Sequence, residues 1–185
     1  MTYISTYLGN RFYLLAPRID DVVIEDIAHG LAYQCRFNGQ TRTFYSVAQH
    51  SIIVAGLVPE EQRLAALLHD AAEAYLGDMV KPLKLLLPEF SAIEEQVSAI
   101  IAEKFGLPGF AFPEIKRADL IALAMEKRDL MPYSTESWES LHGISPLPQI
   151  IEPMSPEEAK AAFLAAFERL AGECGLTATI AVPPG

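Results

Sequence analysis

The chain has 185 residues, of which 51% are hydrophobic, 21% charged and 9% aromatic. That balance supports one packed domain and excludes a disordered chain or a disulfide-stapled miniprotein. Its 14 Lys and Arg against 24 Asp and Glu leave a formal net charge of −10, the wrong sign for neutralising many backbone phosphates, so no nucleic-acid polymer is expected as a partner. No apolar run approaches the roughly 20 residues needed to cross a bilayer, and the first residues lack a basic segment followed by a long apolar one. Cys35 and Cys174 are far apart with no C-x-x-C spacing, which fits free thiols and a cytoplasmic setting.

In chain order, helical periodicity dominates. Asp20 and Asp21 are good caps for a helix carrying Ile24, Ile27, Ala28, Leu31 and Cys35, ending where Asn38 and Gly39 break it. Phe37 to Tyr45 reads as a short strand pair. Ser46-Val47-Ala48-Gln49 reads as a capping box that starts a helix running to about Pro59 and puts His50 in its first turn. From about Glu60 the next helix places Leu64, Leu67, Leu68, Ala71, Ala72 and Tyr75 on one stripe, with Gly77 as a left-handed terminator. Pro82 suits the first turn of a short helix, Phe90 to Phe105 forms another, and Pro113 opens one that runs to about Leu130. Ser155-Pro156-Glu157-Glu158 starts the last long helix, through Leu170. The expected fold is all-α, a compact single domain over residues 1–176 with a flexible tail over 177–185.

The chemistry gathers on the fourth of these segments. On a helix from Leu64 to Tyr75, His69, Asp70 and Glu73 share the side opposite the apolar stripe, yet their neighbours Ala66 and Ala74 are also apolar. A helix apolar all round is buried. Burying an imidazole beside two carboxylates, with no basic residue between Arg63 and Lys81, calls for a compensating positive charge, and a divalent cation supplies one. Further ligands have to come from elsewhere in the chain. Asp119 and Glu126 lie two turns apart on the core-facing stripe of the Pro113 helix, and His50 lies between Val47 and Val54 on the inward side of its own.

His50, then His69-Asp70, then Asp119 reproduce the H…HD…D order of the HD-domain metal-dependent phosphohydrolases. The string His69-Asp70-Ala71-Ala72-Glu73-Ala74-Tyr75-Leu76-Gly77-Asp78, followed by Lys81-Pro82-Leu83-Lys84, resembles the small bacterial 5′-deoxynucleotidases of that superfamily. The resemblance implies an all-α HD-domain fold and one divalent metal, Mn, Co, Zn or Fe, held by His50, His69, Asp70 and Asp119. It also implies that Glu73 orients or deprotonates the attacking water and that Asp78 assists at the leaving oxygen. Glu73 follows His69 by four residues and Asp70 by three, a spacing that agrees with a shared face. Arg36 and Phe37 stand near the place of an arginine–aromatic pair that touches phosphate and sugar in those enzymes, and Lys81 and Lys84 are expected to add positive charge at the pocket mouth.

Only His142 follows the His-Asp pair, which disfavours the histidine-rich di-metal branches of the superfamily. Glu73-Ala74 replaces the Glu-Asp of its guanosine-tetraphosphate hydrolases. His29, on the flank of the first helix, is open to a role behind the metal ligands or a plain surface one. The leading expectation is hydrolysis of the 5′-phosphate of deoxynucleoside monophosphates, with homo-oligomers as in related enzymes. Two alternatives stand beside it, a deoxynucleoside triphosphate triphosphohydrolase and a non-catalytic metal-containing nucleotide sensor.

Overall fold

The computed structural model describes residues 3–176; the tail expected over 177–185 lies outside them. The described chain is all-helical apart from one two-stranded antiparallel ribbon, β1 (Ile4–Ser5) with β2 (Arg11–Phe12), paired Ile4 to Phe12 and Ser5 to Arg11. The sequence pattern put the strand pair later, between Phe37 and Tyr45. That stretch contains no strand and is only flanked by a single bridge, Cys35 to Ser46, because Phe37, Asn38 and Gly39 turn left-handed in succession, with φ of 56°, 51° and 73°. Gly39 takes this conformation freely, Asn38 tolerates it, and the aromatic Phe37 is held there against its preference.

Helix α1 (Ile24–Tyr33) starts at Val23 without a side-chain cap. Asp20 and Asp21 instead belong to a 3-10 turn over Ile19–Asp21, and Cys35 falls beyond the helix, so both expected ends move inward. Helix α2 (Val47–Gly56) is the central strut. Val47, Ala48, Gln49, His50, Ser51, Val54 and Ala55 are all buried, as a helix apolar on every side must be. Half of its expected capping box forms: Ser46 Oγ accepts from the Gln49 amide. The Gln49 side chain turns away and clamps a distant segment, donating to the Glu152 carbonyl at 2.7 Å and accepting from the Met154 amide at 2.9 Å.

The continuous helix expected from Glu60 to Tyr75 is broken. A 3-10 turn over Glu60–Gln62 leads into α3 (Arg63–Leu67), the chain turns at Leu68 (φ −101°, ψ 6°), and α4 (Glu73–Leu76) ends at Gly77, whose φ of 89° requires glycine. Helices α5 (Lys81–Lys84), α6 (Pro88–Lys104), α7 (Pro113–Asp129) and α8 (Pro156–Glu173) follow, each with a proline in its first turn. Ser155 and Glu158 complete a true capping box at α8, which runs one turn past the expected end.

Helix α1 packs on α8, α4 and α2, and α2 also packs on α3, α7 and α8. A core including Ile27, Leu31, Val54, Leu67, Ile101, Phe163 and Phe167 fills the space between them. The approach of α1 to α4 depends on Gly30: a Cβ there would lie 2.9 Å from both Cβ and O of Ala74. Beside it Phe12 stacks on Tyr75 with centroids 3.8 Å apart. No described helix is long and apolar enough to cross a membrane, and Cys35 and Cys174 are both unpaired.

Candidate metal centre

Three elements meet at the middle of the molecule. His50 comes from the first turn of α2 and is fully buried; Asp119 and Glu126 come from the inward stripe of α7; His69 and Asp70 come from the turn between α3 and α4. The interruption at Leu68 overturns the expectation that His69, Asp70 and Glu73 share one continuous helical face. The tight turns over 68–72 bring the three together instead.

Each histidine has one ring nitrogen committed. His69 Nδ1 lies 2.7 Å from the Ala66 carbonyl oxygen, and His50 Nδ1 lies 2.6 Å from Glu126 Oε1. Both partners accept, so both Nδ1 atoms donate, and the two Nε2 atoms face inward, buried and without a hydrogen-bond partner. His50 Nε2 is 3.4 Å from Asp119 Oδ1 and 3.6 Å from Asp70 Oδ2, and His69 Nε2 is 3.2 Å from Asp70 Oδ2. Donors about 2.1 Å from one shared cation stand about 3.0–3.4 Å apart at octahedral or tetrahedral angles. The donor atoms of His50, His69 and Asp119 lie within 4.8 Å of one another and form a group able to hold a metal ion. Asp70 adjoins this triad and also lies 3.8 Å from Arg36. Two orphaned imidazole nitrogens facing two carboxylates fit a divalent transition ion, and the donor set does not select one metal.

Glu126, left without a role by sequence reasoning, is the hub behind the cluster. It is fully buried and accepts from His50, from Tyr45 Oη at 3.0 Å and from Arg36 at 3.1 Å. Burial opposes its charge, but Arg36 and His50 outweigh that and lower its pKa to about 2. Burial and Arg36 likewise oppose an imidazolium at His50, whereas Glu126 and Asp119 outweigh them and raise it to about 9. For Asp119 burial acts upward, yet His50 holds it well below the usual carboxylate range.

Glu73 is buried, with Oε2 unpartnered. Burial, reinforced by Asp70 and Asp78, pushes its carboxyl well above the usual range, and a cation among those carboxylates would oppose the shift. Asp78 is raised in the same way, by burial first. Its side chain caps no helix, since α5 has no side-chain cap. One residue that sequence reasoning missed braces both: Gln34 donates to the Glu73 carbonyl at 2.6 Å and accepts from the Asp78 amide at 2.9 Å. Nothing in the order of residues marks a glutamine 39 and 44 positions away.

A cavity of about 360 Å³ opens beside the cluster, walled by His69, Asp70 and Glu73 on one side and Lys84, Glu94 and Ser98 on the other. Lys84 reaches this wall but is paired with Glu94 at 2.6 Å. Lys81 is exposed on α5 and does not line the cavity. Arg36 sits at the cluster, one edge on Glu126 and the other toward Asp70, and stacks 5.3 Å from the Phe37 ring. Its guanidinium is therefore partly committed inside the protein. His29 stands apart, stacked between Tyr7 and Tyr33, and His142 lines a different cavity.

No protein-family model matches the chain. Over 171 residues it is 43% identical to the uncharacterized protein YfdR of Escherichia coli strain K12, an alignment that covers 92% of this chain and 96% of that protein. The chain belongs to the YfdR family. An uncharacterized protein of Rhodobacter capsulatus is 38% identical over 176 residues, covering 85% of this chain and 89% of its own. Neither name carries an activity, so what this YfdR-family chain does has to come from its own side chains.

Proposed function

We propose that the chain is a metal-dependent phosphohydrolase of the HD-domain type that removes the 5′-phosphate of deoxynucleoside monophosphates. The observation that carries this reading is the pair of buried, unpartnered imidazole nitrogens of His50 and His69 facing Asp70 and Asp119, with Glu73, one oxygen unpartnered, lining the cavity wall beside His69 and Asp70. Unsatisfied buried polar atoms of this number are costly unless a ligand completes them.

His50, His69, Asp70 and Asp119 would hold the ion. When bound it supplies Lewis acidity, drawing charge from the phosphoryl oxygens and making water a stronger acid. The remaining work falls to the chain. Arg36 is anchored on Glu126 through Nη2, and its Nη1, 3.8 Å from Asp70 and not hydrogen-bonded to it, is the nitrogen that meets the phosphate and fixes the orientation of the ester. Glu73 takes the proton of the attacking water as that oxygen bonds to phosphorus. The bond from phosphorus to the nucleoside 5′-oxygen breaks, and Asp78 returns a proton to the departing oxygen. Gln34 holds the two acids at opposite ends of α4, which keeps acceptor and donor apart.

The charge around the cavity supports a monophosphate over a triphosphate. A triphosphate brings about four negative charges toward Asp70, Glu73, Glu94 and Glu95, while Lys84 is already neutralised by Glu94. The test is a nucleotide panel with Mn²⁺ or Co²⁺, its products resolved as phosphate, pyrophosphate or triphosphate. Phosphate from deoxynucleoside monophosphates, abolished by EDTA and restored by metal, is the expected result. Triphosphate as the product assigns the chain to the triphosphohydrolases. Nucleotide binding with no turnover under any metal assigns it to the sensors.

A further inference from the structure

A second cavity, of about 490 Å³, lies under the segment that follows α7. It shares no wall residue with the cavity beside the metal-ligating cluster. Its size is in the range that takes a small organic ligand. What sets it apart is the charge of its wall. In a chain of net charge −10, Arg42, Lys127 and Arg128 all line it, together with His142, and no Asp or Glu does.

Arg128 is paired with Asp129 at 2.6 Å. Arg42 and Lys127 hydrogen-bond to neutral carbonyls, those of Asp129 and Glu136. Arg42 and Arg128 thus share the Asp129 carboxylate and Lys127 pairs with none among the described residues, which leaves net positive charge at one concave surface, the electrostatic signature of an anion site. The same wall is aromatic. Trp138 is half-buried, with Lys127 Nζ 5.1 Å from its ring centroid, and Tyr133 contributes a second ring that is 92% exposed. Exposing so large a ring costs apolar solvation that a stacked ligand would recover.

We propose that this cavity is a second ligand site, for the phosphate ester of an aromatic heterocycle such as a nucleotide, separate from the metal-ligating cluster. Arg42 and Lys127 engage the phosphate, and Trp138 and Tyr133 cover the ring. The assignment does not depend on what the metal-ligating cluster catalyses.

Trp138 is the single tryptophan of the chain and lines this cavity; because the Phe37 ring beside Arg36 is 6.0 Å from it, its emission is assigned to this cavity only where the Arg42 and Lys127 substitutions abolish the change. The full chain carrying Asp119→Asn, treated with EDTA so that the metal-ligating cluster is disabled, is titrated with the four deoxynucleoside monophosphates and ATP. Tryptophan emission and equilibrium dialysis are followed together, with inorganic phosphate and deoxyadenosine as separate arms. A saturable emission change with one nucleotide bound per chain is expected, at least tenfold tighter than phosphate or the nucleoside. The Arg42→Gln/Lys127→Met variant, checked for an unchanged circular dichroism spectrum, should weaken it tenfold or more. Absence of bound nucleotide in the Asp119→Asn chain overturns the proposal, as does binding that survives Arg42→Gln/Lys127→Met. Phosphate binding as tightly as any nucleotide also overturns it, leaving a bare anion site. None of these arms reads turnover, so an inactive metal-ligating cluster and an absent second site give different results.

Discussion

Nδ1 of His50 lies 2.6 Å from Oε1 of Glu126, and both side chains are sealed from solvent. The carboxylate fixes the ring so that Nε2 faces Asp70 and Asp119, and it simultaneously neutralises Arg36. A partner of this kind behind a metal-binding histidine is worth about 10–100-fold in metal affinity. Glu126→Gln should weaken binding of Mn²⁺ or Zn²⁺ by that factor in a calorimetric titration and lower the melting temperature, because Arg36 loses its buried counter-charge. Wild-type metal affinity in this variant would remove Glu126 from the centre.

Glu73→Gln separates catalysis from architecture. The carboxylate is buried with an unpartnered oxygen, so removing its charge should leave the melting temperature unchanged or higher while turnover of a deoxynucleoside monophosphate falls about 10²- to 10⁴-fold, the usual contribution of a positioned base. Metal content measured by mass spectrometry should stay the same. Undiminished turnover would move the proton acceptor elsewhere, and Glu126 is a poor substitute because both its oxygens are already taken by His50, Tyr45 and Arg36.

Gly30 has a packing reason to be glycine. A methyl group there meets Ala74 Cβ and the α4 backbone at 2.9–3.0 Å, and a backbone cannot rotate away as a side chain can. Gly30→Ala should cost about 1–3 kcal/mol in urea unfolding, and it should also lower turnover, since α4 carries Glu73. Stability within a few tenths of wild type would mean that α1 and α4 slide apart freely.

The pH dependence of stability should carry a signature of His29. Burial, with Lys160 beside it, lowers its pKa below the ordinary 6.5. The unfolded chain therefore binds a proton there that the folded chain resists. Stability from this group is present above pH 6.5 and is lost as pH falls through and below that value. Melting temperatures measured from pH 7.5 to 5 should show a shallower acid-side decline in His29→Gln than in wild type; parallel curves would contradict the assignment.

Period and punctuation in the sequence determined the all-helical class, the extents of α6 and α7, the cap of α8, and the inward placement of His50 and of the Asp119–Glu126 stripe. These features are local, each settled by residues within a few turns of one another. The composition of the His69 to Asp78 segment, acids and an imidazole among alanines, also pointed to buried charge that needs compensation. Tertiary structure decided the rest. Whether the chain turns at Leu68 depends on packing against α2 and α8, not on the propensity of an Ala- and Leu-rich stretch that would otherwise continue as helix. The Gln49 side chain had two equally good hydrogen-bonding options, its own cap or the backbone of Glu152 and Met154, and only the path of the segment leading into α8 selected the second. Glu126 and Gln34 acquire their roles across separations of 76 and 44 residues, where no periodicity reaches, because a buried polar group takes whichever partner the fold delivers within about 3 Å.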